Sequence, residues 1–355
     1  MRRLSKATET IIWFFCGLCI LLQPKAAAEG VAAGLQACLG AILPSLFPFF
    51  ILTDYWVQAG YVQRLSMLAS PFMRRFFHLP GAAAAALILG SVGGYPIGAK
   101  TAAQLCASGQ LSKDDAEQTL YFCNNAGPAF VLGVIGNSVF RDIKLGVLLY
   151  IIHLISAYCV GFLLRPKKKI KEAKIMSDTV GNTNIANRIT SAITNGGQTA
   201  ILVCTYVVFF AIVTRCVQNY IPNRLLSTLI MGTIELTSGM ISLSALSVTG
   251  AQKFVLAAAL LSLGGLCVFL QSASILYSAG LDVKKLLVGK GLQCFFSTCF
   301  SILISPILPT PLPCAAIGLN PWKYLYQQIA VIILISILTA IFLKESSGNM
   351  ENNQV

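Results

Sequence analysis

Long apolar runs separated by short polar or basic stretches make up most of the chain, and the runs differ in where they are interrupted. Residues 8–23, 43–59, 145–164, 199–217, 286–308 and 324–343 read as plain spans, long enough for a hydrocarbon core of ~30 Å. The second of these opens with Pro44 and Pro48. Residues 26–41 are rich in small residues but carry Glu29 and Gln36, which predicts an interfacial helix. The other runs break in the middle.

The clearest break is GSVGGYPIGAK at 90–100, inside the apolar run 80–109. Gly93 and Gly94 remove side-chain constraint, and Pro96 removes a backbone donor. Each half is near 20 Å of helix, too short to cross a core of ~30 Å. Unwound backbone at membrane depth is tolerated only inside protein or beside a polar cavity. A helix capped by Ser112 follows and breaks at 124–128, NNAGP, before resuming to about residue 140. The second half has the same grammar. Residues 225–249 are interrupted at 235–239, ELTSG, and 253–277 carry a polar cluster, QSAS, at 271–274.

Of the 355 residues 56% are hydrophobic and 11% charged, with a mean hydropathy of +0.74. Soluble domains carry about 25% charged residues, so this is the composition of an integral membrane protein. The net charge of +13 gathers in clusters at 1–6, 64–78, 165–174, 282–290 and 344. No basic stripe with interleaved aromatics accompanies it, which argues against a nucleic-acid partner. Clustered Lys and Arg instead mark the cytoplasmic side. If 80–109 and 225–249 each enter and leave on one side, every cluster and both termini fall in the cytoplasm. A single crossing by 80–109 would move 165–174 outside. The predicted fold is therefore all-α integral membrane, with about eight transmembrane helices and two re-entrant helical hairpins in inverted-topology repeats. Residues 1–28 also have the outline of a signal peptide, but a first span fits a chain that is itself membrane-embedded.

The 12 cysteines are scattered through apolar segments, and the Cys16/Cys19 pair lies mid-span, where cysteine serves as a small hydrophobe. With His78 and His153 the only histidines, a histidine-rich metal site is excluded. Both lie outside the broken elements, which argues against an enzyme. GGYPIGAKT is close to a phosphate loop, but Ala99 separates Gly98 from Lys100, so no nucleotide cofactor is expected.

The breaks supply the candidate binding residues: Gly94, Tyr95 and Lys100, then Asn124 and Asn125, then Glu235, Thr237 and Ser238, then Gln271 and Ser272. Half-helix N-termini offer positive ends to anions, and unwound carbonyls accept from cations or donors. Lys100 and Glu235 stand at matching places in the two hairpins, which predicts that they neutralise each other when the site is empty. A bland reading exists for each residue: Lys100 snorkelling to the surface, the amides joining helices, and Ser274 bonding its own backbone.

LFPFF at 46–50, GGYPIGAK at 93–100, NNAGPAF at 124–130 and GTIELTSG at 232–239 resemble the YlbJ family of sporulation integral membrane proteins. That family sits in the nucleoside-recognition or Gate-domain group, which is similar to concentrative nucleoside transporters. The resemblance implies transport of a small organic anion, dipicolinate, during spore formation. It places the protein in the bacterial cell membrane, and in the outer forespore membrane during sporulation. The expected partners are that anion and the bilayer, with room for a homo-oligomer, and with no cofactor beyond a coupling proton or cation. A nucleoside or other polar solute on the same fold, or a non-transporting scaffold, are the alternatives. The chain then divides into 1–40, a first span and interfacial helix; 41–165, a first Gate-like repeat; 166–190, a basic linker; 191–308, an inverted second repeat; 309–345, an outer loop and last span; and a tail, 346–355.

Overall fold

The computed structural model describes residues 10, 14, 17–18, 20–167 and 184–308. Most of the expected first span, residues 168–183 of the linker and everything from residue 309 on lie outside the described residues, the expected last span among them. Regular structure in the described residues is all helical.

Helix α1 runs from Pro24 to Gln58, 35 residues, or about 50 Å. The expected boundary near residue 42 is absent. The chain passes there through one π-turn, Cys38–Ile42, in which the Leu43 amide bonds the Cys38 carbonyl. Pro44 and Pro48 each take a donor from the helix ladder, and the π-turn absorbs the mismatch without ending the helix. Residues 26–41 are thus not a separate interfacial helix. Their small side chains serve packing: a Cβ on Gly30 would lie 2.6 Å from Ile212 Cα, and one on Gly34 2.8 Å from Val208 Cα. Glycines four apart let α1 lie backbone to backbone on the helix over Ile185–Gln218.

Helix α2, Tyr61–Phe72, leaves Met67, Leu68 and Phe72 exposed on the same short helix as Arg64, as an interface-lying helix does. Helices α3, Ala83–Gly93, and α4, Ile97–Ala107, then fold back on each other through residues 94–96. Their crossing is made of glycine. A Cβ on Gly90 would come within 2.7 Å of Gly98 Cα, and a Cβ on either would run into the Cys123 carbonyl. Helix α5, Lys113–Thr119, starts at its Ser112 cap, and the chain unwinds through 124–127 before a π-helical segment, α6, Ala129–Val139. The break expected at 124–128 is present, although the helix before it already ends at Thr119. Helix α7, Ile143–Leu163, closes this half.

The second half repeats the order: α8, Ile185–Gln218; a hairpin of α9, Arg224–Ile234, and α10, Leu236–Ser244; a broken helix of α11, Gly250–Leu263, and α12, Gly265–Ser278; and α13, Lys284–Ile304. The α9–α10 crossing again uses glycine, Gly239 against Gly232. The second broken helix does not break at 271–274, which lie inside α12. It breaks at Gly264 and Gly265, with φ of +79° and +78°. Two consecutive left-handed residues are available to glycine at little cost.

Five helices of the described residues are long and apolar enough to cross a membrane: α1, α7, α8, the α11–α12 unit and α13 extended to Ile307. On α7, Ile143, Val147, Ile151 and Ile155 form an exposed apolar stripe, while Leu145, Leu149, Ile152 and Ser156 are buried. An outward apolar stripe suits lipid as solvent. The halves interlock, α1 on α8, α7 on α13, α4 on α12 and α6 on α10.

Candidate functional site

The breaks converge. Gly94, at φ +79°, brings the first hairpin's tip against the unwound 124–127 segment, so that a Cβ on Gly94 would sit 2.8 Å from the Gly127 amide. Tyr95 then reaches into the other half, where its hydroxyl donates to the Leu261 carbonyl at 2.9 Å. A Cβ on Gly264 would lie 3.5 Å from the same ring, so the glycine break of α11–α12 is also a seat for Tyr95.

Beside this junction lies a narrow cleft of about 50 Å³. Tyr95, Glu235, Thr237 and Gln271 face it, with the 126–127 backbone. Its walls are apolar, Leu46, Phe130, Val203 and Val268 among them. A mostly apolar slot with a few placed polar groups is the usual form of a small-molecule site.

Glu235 caps α10. Its carboxylate accepts the Thr237 amide at 2.9 Å, the Ser238 amide at 2.6 Å and the Ser238 hydroxyl at 2.6 Å. The half-helix N-terminus that was expected to receive an external anion is thus occupied by the chain's own carboxylate. Ser238 faces a second, wider cleft of about 720 Å³ between α1, α8 and the α9–α10 hairpin, lined also by Arg215, Arg224 and Thr228.

Lys100 does not turn to Glu235. Its ammonium lies 3.3 Å from Asp54 Oδ1 and donates to Thr199 Oγ1 at 3.0 Å. Asp54 Oδ2 accepts from Gln58 and from Asn195 at 2.9 Å. The expected Lys100–Glu235 pair is therefore replaced by two separate arrangements, and the places do not match: Glu235 caps its helix, whereas Lys100 is the fourth residue of α4.

Asn124, Asn125 and Ser272 are buried and brace the breaks. Asn124 accepts from the Ala99 amide at 3.4 Å and donates to Ser272 Oγ at 2.9 Å, joining α4 to α12. Asn125 donates to the Phe122 carbonyl at 2.8 Å.

Sequence reasoning missed four residues here. Asp54 hides in the apolar second half of α1. His153, set aside for its distance from the breaks, accepts the Ala126 amide on Nε2 at 3.0 Å, which leaves Nδ1–H to face Ser262 Oγ at 3.1 Å. Gln293 donates to Asn125 Oδ1 at 3.0 Å and to the His153 carbonyl at 3.1 Å. Lys290, counted with the cytoplasmic cluster 282–290, is instead inside α13, 6% exposed, with Nζ 2.8 Å from Gln293 Oε1 and 3.4 Å from the Tyr95 hydroxyl. The available signal was its setting, Gly289-Lys290-Gly291, where Gly289 packs onto the Tyr121 backbone and draws the lysine inward.

Residues 39–139 match the family model for Gate, described as nucleoside recognition. The sporulation integral membrane protein YlbJ of Bacillus subtilis (strain 168) is 25% identical over 366 aligned positions, which cover 92% of this chain and 88% of that one. No solved structure matches. The chain is thus an integral membrane protein in which the stretch from the π-turn of α1 to the end of α6 is similar to the Gate family, with a near-full-length similarity to YlbJ.

Proposed function

We propose that the chain carries a small organic anion, dipicolinate first among candidates, across the membrane by alternating access at the cleft beside Tyr95. One observation carries the reading: broken elements of both halves line a single cleft, Tyr95 and residues 126–127 from the first, Glu235 and Gln271 from the second. Discontinuous helices meeting around a central site are a recurrent transporter architecture. The sporulation role in the relative's name supports dipicolinate. On this reading the halves are inverted repeats, the hairpins are re-entrant from opposite faces, and a proton or cation travels with the solute, with Glu235 as its acceptor.

A nucleoside is the second reading. The description of the matched family favours it, as do apolar walls set with one carboxylate and one amide, which suit a neutral ring bearing hydroxyls. Proteoliposome uptake of labelled dipicolinate and uridine, side by side, tests both. The expected result is dipicolinate entry above protein-free vesicles. Uridine entry alone favours the second reading, and entry of neither leaves a scaffold.

A further inference from the structure

Lys290 is a buried lysine whose ammonium form meets no counter-charge among the described residues. The other inward-facing lysines are answered. Lys100 has Asp54, and Lys253, 5% exposed, donates to the Ser244 carbonyl at 2.8 Å, at the negative end of α10. Lys290 forms no ion pair with any described carboxylate. Its contacts are the neutral Gln293 amide, the Tyr95 hydroxyl and the face of the Tyr95 ring, with Nζ 4.8 Å from the centroid. The surrounding network is neutral as well. Gln293 is fixed by Asn125 and the His153 carbonyl, and His153 accepts the Ala126 amide with an unprotonated nitrogen. Glu235 is engaged by its three donors at the start of α10. An ammonium left alone at membrane depth is costly, and such a residue is a functional candidate by default.

Tyr95 stands between this charge and the cleft. It lines the cleft and carries Lys290 over its ring. We propose, resting on the transport reading above, that Lys290 is the residue that sets the charge preference of the site. A small planar dicarboxylate lying against Tyr95 supplies the counter-charge that the protein withholds, acting across the ring and through the hydroxyl that Lys290 touches. Lys100, which already has its carboxylate, is not that cation.

The test uses the full chain in nanodiscs, with dipicolinate and its neutral isostere pyridine-2,6-dicarboxamide as probes. The wild type is expected to bind the dianion at least tenfold tighter than the diamide. Lys290→Met is expected to lose about tenfold or more in dipicolinate affinity while changing diamide affinity less than twofold. Its ligand-free melting temperature should be equal or higher, because an apolar group then replaces an uncompensated charge. A Lys290→Met protein that binds dipicolinate within threefold of wild type overturns the inference and leaves the transport reading intact. So does one that cannot be obtained folded, since the charge is then structural. A wild type that binds neither pyridine compound ends the anion reading and this inference together.

Discussion

Asp54 and Lys100 form an ion pair between α1 and the first turn of α4, 3.3 Å apart, with the carboxylate side chain 2% exposed and the ammonium side chain 18%. Because Thr199 and Asn195 of α8 complete the cluster, it ties three elements from both halves. Removing one partner of such a pair leaves a buried charge alone. Lys100→Met should therefore destabilise the protein by about 3–5 kcal/mol. The Asp54→Leu, Lys100→Met double variant should recover much of that loss. Thermal unfolding in detergent reads both, and equal losses in the single and double variants would refute the pair.

At the first hairpin's tip the demand is for glycine on two counts. Gly94 has φ +79° and no room for a Cβ beside the Gly127 amide, whereas Gly109 has φ +71° with nothing within 4 Å. Gly94→Ala should then cost about 1–2 kcal/mol in backbone strain plus the displacement of Gly127, and Gly109→Ala the strain alone. Folded yield and melting temperature of the two variants should differ clearly. If they are alike, close approach contributes nothing.

Glu235 satisfies the amides that open α10. Substitution by Ala should cost about 0.5–2 kcal/mol, as loss of a helix cap does. Glu235→Gln retains one acceptor oxygen and should cost less. Uptake by the Gln variant, if the carboxylate accepts the coupling proton, should lose its dependence on a pH gradient. Uptake that tracks the gradient as in wild type assigns coupling elsewhere.

Opposite entry of the hairpins is a matter of sidedness. Single cysteines at Ala107 and Ser247, the exposed outer turns of the first and second hairpins, are expected to react with an impermeant maleimide from opposite faces. Same-side labelling would remove the inverted-repeat reading.

What the sequence made legible is the set of places where chain chemistry is local. Pro96 beside Gly93 and Gly94, and Glu235 ahead of Thr237 and Ser238, break or cap a helix by themselves, and both hairpins follow. The second broken helix was misplaced because polar residues at 271–274 drew attention from Gly264 and Gly265, whose effect is conformational. Pairings were not legible at all. Asp54 meets Asn195 across 141 positions, and Gln293 meets Asn125 across 168. Nothing within a span announces which distant span will neutralise it, so Lys100 was given the wrong partner and Lys290 was counted only as part of a cytoplasmic cluster.

The capped turn at the start of α10 has two sides. Glu235 and Thr237 face the narrow cleft, while Ser238 faces the wide one. Residues within one helical turn of each other thus line both spaces, which makes this turn a shared wall, a thin bulkhead rather than a plug. If the chain transports by alternating access, movement of the second hairpin would join the two compartments, and bulk added at position 238 is expected to hold them apart.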